Sequence, residues 1–133
     1  MRLRLLVGAV VASGMLLLVV PLMAHHATQA QYDKDSTKEL VGVMKRVQWI
    51  NPHVRWYLDV TNEDATVTTW EIAGSGPGGY RRNGITVRGV FPVGEEYTAL
   101  VALSRDGAPS GYIMTWTLPD GRMMDFWHDY GDR

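Results

Sequence analysis

Apolar and polar residues alternate with a period of two through most of the chain after Lys38, the pattern of strands that bury one face. Leu40 to Ile50 predicts a long first strand, with Val41, Val43, Val47 and Trp49 on one parity and Gly42 where such a strand could bend. Asn51-Pro52 turns the chain, because proline disfavours helix at the residue before it and brings no backbone donor. His53 to Thr61 alternates without interruption. Val54, Trp56, Leu58 and Val60 point inward, while His53, Arg55, Tyr57, Asp59 and Thr61 point out. Asn62-Glu63-Asp64 reads as a hairpin turn, and Thr66 to Ala73 returns with Trp70 and Ile72 inward.

Gly74 to Gly84 is an irregular connection. Beyond it, Glu95 to Leu103 places Tyr97, Ala99, Val101 and Leu103 on one face, Arg105-Asp106-Gly107 turns, and Gly111 to Leu118 forms a last strand that stops at Pro119-Asp120-Gly121. The expected core is Val54, Trp56, Leu58, Val60, Trp70, Ile72, Val101 and Trp116. Five strands joined by turns predict an all-β fold, a small five-stranded OB-like barrel over residues 39–133 preceded by an N-terminal signal helix. A small sandwich has the same strand count and is the rival.

The first 24 residues have another purpose. Met-Arg-Leu-Arg, the uncharged stretch Leu5 to Ala24 and the break at Pro21 have the layout of a secretory signal peptide, cut after Ala24. An uncleaved anchor is the alternative, since 20 uncharged residues match the roughly 20 that span a bilayer. Against it, Gly8, Ser13, Gly14 and Pro21 dilute the helix, and no Lys or Arg follows until Lys34. Residues 25–38 are polar and aperiodic, a flexible lead-in. The expected location is periplasmic or secreted, with no membrane contact after cleavage.

Composition narrows the partners. A chain of 133 residues with no cysteine has room for one small domain and holds it together without disulfides or thiolate metal sites. Its 13 basic residues include Arg2 and Arg4, so the exported part carries 11 against 14 acidic residues, a net charge of −3. That excludes the strongly basic surface of a nucleic-acid binder. The partners expected are an unknown small ligand or a periplasmic protein.

Several short motifs occur together: Ala24-His25-His26, Val43 to Trp49 followed by Asn51-Pro52-His53-Val54, Trp70-Glu71, Arg81-Arg82-Asn83-Gly84 and Leu118-Pro119-Asp120-Gly121-Arg122. In this combination the chain resembles a family of small exported bacterial proteins of unknown function. The chain departs from it at Ala27-Thr28, where the family has Ser-Phe, and at Ile85, where it has Trp. The resemblance implies an exported, OB-like domain and supplies no activity.

Candidate chemistry is sparse. Gly74 to Gly79 matches G-x-G-x-x-G, but Pro77 sits inside it, Tyr80 to Gly84 leaves room for barely one helical turn, and no parallel strand-helix-strand unit surrounds it, so a loop is expected. His25 and His26 are sharper candidates. Cleavage after Ala24 would place a free amine beside the His25 imidazole, and His26 and His53 could complete a nitrogen site suited to copper. The plainer alternatives are a solvated tail for the pair and a turn-capping role for His53. His128 is a fourth histidine, placed in an aromatic segment expected to cover one barrel end. Met123 and Met124, which alternate across a strand, could offer Cu(I) at most one thioether. Arg55 and Tyr57, with Arg81 and Arg82 from the following loop, form a candidate ligand-binding face for an anion, OB barrels binding on their second and third strands. No thiol nucleophile or Ser-His-Asp grouping is visible, and Glu95-Glu96 would diverge on a strand, so hydrolase chemistry has no constellation. The readings are a noncatalytic binding module, a copper or other transition-metal binding protein, and a small copper-dependent oxidoreductase.

Overall fold

A computed structural model describes residues 30–82, 84–85 and 90–126. The strands are β1 (Tyr32–Trp49), β2 (Val54–Thr61), β3 (Val67–Ala73), β4 (Glu96–Ser104), β5 (Ser110–Thr117) and β6 (Met123–Asp125), with one short helix, α1 (Pro77–Arg82), between β3 and β4. The sheet order is β3-β2-β1-β4-β5-β6, and a further pairing of β3 with β5 closes five strands into a ring. All neighbours are antiparallel except β3 and β5, which run parallel over Glu71–Ala73 and Ser110–Tyr112. That order, with the helix in the β3–β4 connection, is the Greek-key arrangement of a small OB-like barrel. The expected signal helix lies outside the described residues, and among those described no helix is long and apolar enough to cross a membrane.

Alternation places the core. Val54, Trp56, Leu58, Trp70, Ile72, Val101 and Trp116 are buried as the pattern predicts, and Val60 packs against them half-buried. Trp56 and Trp116 lie 5.7 Å apart, edge to face. Phe91 and Tyr97 extend this aromatic centre on one side, Tyr80 and Phe126 on the other. Neither indole N–H has a hydrogen-bond partner among the described residues.

The first strand departs from the expected pattern twice. Leu40 and Met44 are buried while Val41 and Val43 face out, yet Val47 and Trp49 still pack on the core. The cause is a bulge at Lys45, where the register jumps from Met44↔Leu58 to Arg46↔Tyr57. One extra residue reverses parity, so a single alternation cannot run the whole strand. The strand also begins earlier than expected, since the lead-in from Tyr32 to Lys38 belongs to β1. A second irregularity lies between Asp33 and Thr37, opposite Leu103 and Ala102, and loops out Lys34-Asp35-Ser36. These residues are polar because they are extruded, which hides the strand in the sequence.

A sixth strand also extends the five expected. The Leu118–Arg122 turn is a three-residue hairpin loop in which Gly121 N donates to Leu118 O (2.9 Å) and Leu118 N to Arg122 O (2.9 Å), bringing β6 beside β5. Asn62–Thr66 repeats this hydrogen-bond pattern between β2 and β3. The position held at φ +83° by Gly121 is held at +64° by Ala65. An L-residue there carries a left-handed backbone that glycine adopts freely.

Two outcomes follow. Trp56→Ala should lower unfolding free energy by about 3–5 kcal/mol in denaturant titrations, the range for a truncated core aromatic. Ala65→Gly should raise it by up to about 1 kcal/mol, since relief of the left-handed alanine outweighs the added freedom of the unfolded chain.

Candidate binding surface and the His53 corner

The outward parity of β2 presents His53, Arg55, Tyr57 and Asp59 on the outer face, and the register supplies their neighbours. Arg55 lies between Gln48 and Ala73, Tyr57 between Arg46 and Glu71, and Asp59 between Val43 and Thr69. Cross-strand neighbours at this spacing interact. The Arg55 guanidinium pairs with Glu71 at 3.3 Å. The Tyr57 hydroxyl donates to Gln48 Oε1 at 3.0 Å, and its ring lies 4.0 Å beneath the Arg46 guanidinium. Lys45 pairs with Asp59 at 3.3 Å. A hydrogen bond from Thr69, followed by Lys45, holds the Asp59 carboxyl below its ordinary range. Two carboxylates thus face three cations, and Arg46 has no carboxylate partner among the described residues.

Where β2 begins, two of the sequence motifs meet. The Asn51–Pro52 peptide is cis. His53 Nδ1 lies 2.9 Å from the carbonyl oxygen of Gly74. A carbonyl only accepts, so Nδ1 carries the proton, and among the described residues the Nε2 lone pair of the neutral ring has no partner. Val54 N donates to Ser75 O at 3.0 Å, and Ser75 N donates to the Tyr80 hydroxyl at 2.8 Å. Space explains Gly74 and Gly76: a Cβ on Gly74 would collide with the Tyr80 hydroxyl and the Trp56 ring, and one on Gly76 would lie 2.9 Å from Pro52 O. Packing thus accounts for the first two glycines of the G-x-G-x-x-G pattern, whereas a Cβ on Gly79 would meet nothing within 4 Å. Where a loop is expected, a six-residue helix begins inside the pattern at Pro77, and the only strand parallel to β3 among the described residues is β5, which the chain reaches after β4.

The start of β1 joins the corner from outside the barrel. Tyr32, Ala73, Ala102 and Tyr112 form a second, smaller apolar cluster. The Tyr32 and Tyr112 rings are 5.7 Å apart, and the Tyr112 hydroxyl shares a hydrogen bond with Ser75 Oγ at 3.2 Å. Burial, with the charge of Glu71 second, pushes the Tyr32 phenol up to about 12.

Of the expected site residues, the structure brings Arg55 and Tyr57 onto one face and sets His53 at its end. Arg81 and Arg82 are exposed on the last turn of α1, and among the described residues neither shares a hydrogen bond or ion pair with Arg55 or Tyr57. His25, His26 and His128 lie outside the described residues. No group of three His, Cys, Asp or Glu that could hold a metal occurs among those described. Met123 is exposed and Met124 packs on the core. Sequence reasoning missed Arg46, because the bulge hides its parity, and Glu71, whose outward position beside Tyr57 follows once β2 and β3 are paired. Tyr32 carried no signal within a polar segment.

The ring of strands and its outer polar face define a small OB-like domain. A family model described as a family of unknown function, DUF6152, matches residues 13–113, and the chain belongs to that family. The match includes the Asn51-Pro52-His53 turn and ends before the Leu118–Arg122 loop. Searches of curated proteins and of solved structures return no match.

Tyr32 generates a prediction about alkaline stability. Its folded pKa is raised, so its contribution is complete below the ordinary phenol value of about 10 and is lost as pH rises through about 12. In absorbance titrations of phenolate formation, Tyr32→Phe should delete a late-titrating tyrosine, and Glu71→Gln should bring that step to lower pH.

Proposed function

We propose that the protein is an exported, noncatalytic binding module, working in the periplasm or outside the cell, that takes an anionic ligand or an acidic protein segment on the outer face of β1, β2 and β3. The observation that carries this reading is Arg46. Its guanidinium is stacked on Tyr57 without a carboxylate partner among the described residues, so its planar set of donors is oriented and free to grip an anion. Arg55 supports it from the next row. Its pair with Glu71 is half-exposed, and such pairs contribute at most about 1 kcal/mol, so a better anion can displace Glu71. On this reading Arg81 and Arg82, exposed on the last turn of α1, would add positive charge to the approach of an anion.

A second reading is favoured by His53. Histidines that bind metals commonly donate their other ring N–H to a backbone carbonyl, which fixes the tautomer and the ring plane. His53 has this arrangement with Gly74. Copper or another transition metal bound through Nε2 would need further nitrogens, and the amine and imidazole of His25, with His26, are the candidates if the signal peptide is cut after Ala24. A small copper-dependent oxidoreductase is the catalytic form of this reading.

Amide chemical shifts separate the two readings. Titration with a short poly-glutamate peptide should shift residues of β2 and Arg46, and Arg46→Gln should weaken binding at least fivefold. Unchanged affinity in that variant, or shifts elsewhere, would sink the anion reading. For the metal reading, intact mass should place the exported N-terminus at His25, and Cu(II) affinity by calorimetry should fall both in His53→Ala and when one extra residue precedes His25. Equal affinity in all forms would reduce copper binding to an adventitious histidine pair.

A further inference from the structure

The Leu118-Pro119-Asp120-Gly121-Arg122 turn has no part in the face described above, yet it forms one wall of a cleft of about 380 Å³ whose other wall is the segment leading into β4. We propose that this cleft binds a small organic ammonium ion, with its carbon skeleton against Pro92, Leu118 and Pro119 and its charge on Glu95. None of the residues lining it belongs to β1, β2 or β3.

Both walls are held in place before any ligand arrives. On the turn side, Gly121 N and Leu118 N close the loop, each with a hydrogen bond of 2.9 Å. On the other side, the Tyr97 hydroxyl donates to Pro92 O at 3.0 Å, Gly94 N to Met44 O at 2.8 Å, and Met44 N to Glu95 O at 2.9 Å. The two prolines add rings that cannot rearrange, and Leu118 is buried beneath them. This open cleft, with four apolar and three charged lining residues, has a volume within the range that holds small molecules.

Charge then selects the ligand. Asp120 and Arg122 cancel each other, because Arg122 N donates to Asp120 Oδ1 at 3.0 Å and Arg122 Nε to Oδ2 at 2.7 Å. Those bonds hold the Asp120 carboxyl below its ordinary range. The Glu95 side chain has no hydrogen bond or ion pair among the described residues, and its charge reaches the buried Tyr97 phenol, which burial first of all pushes up to about 12. One carboxylate left uncompensated among the described residues, beside apolar walls, fits an amine-bearing carbon chain. A bare divalent cation would find too few free oxygens there.

Butylammonium is a sufficient probe, with butanol and butyrate as controls, and amide chemical shifts as the readout. Butylammonium should shift the amides of Glu95 and Gly121 saturably, Glu95→Gln should weaken that binding at least tenfold without changing the melting temperature, and neither control should bind. Equal affinity in Glu95→Gln overturns the proposal, as do shifts that map to other residues. Tighter binding of butyrate overturns it too, by making Arg122 the operative charge.

Discussion

Trp56 is the contact on which the barrel, its cap and the His53 corner all depend. The indole is fully buried and meets Tyr80 of α1, Phe91 ahead of β4, Trp116 of β5 and Phe126 after β6. Segments far apart in sequence are thereby gathered on one ring system, with area burial and edge-to-face geometry contributing together. The same ring leaves no room for a side chain at Gly74, and the carbonyl of Gly74 orients His53. A histidine that faces outward is thus set by an aromatic that faces inward.

The outer face follows different physics. Its ion pairs are half-exposed, so they register the strands more than they stabilise them. That weakness is what the proposed binding surface requires, since its cations would have to exchange an internal partner for a ligand. Arg46 stands apart because its neighbour is an aromatic ring, which orients the guanidinium without neutralising it.

The wrapping of β1 links the two regions. Its first residues lie outside the aromatic core in the Tyr32–Tyr112 cluster, Tyr32 to Val43 pair with β4, and Val43 to Trp49 pair with β2 across the bulge at Lys45. Two irregularities let one strand curve around a barrel this small, since a bulge bends the strand and increases its twist. One of them also carries Arg46 onto the outer face beside Tyr57.

How far the sequence could be read depends on which forces are local. The alternation in β2, β3, β4 and β5 named eight core residues, of which seven are buried, because period-two patterning is imposed by each strand on its own. It also set Arg55 and Tyr57 on one face, and the Asn-Pro and Pro-Asp-Gly turns were evident from local backbone chemistry. Three features came only from the tertiary structure: the reversed parity of Val41 and Val43, the strand hidden in Tyr32 to Lys38, and the meeting of His53 with Gly74. The first two arise where β1 must match the lengths of β4 and β2, the third where two loops pack over Trp56. In each case the deciding partner lies at least 11 residues away along the chain, the separation of Arg46 from Tyr57 at the bulge, and local periodicity carries no information at that distance.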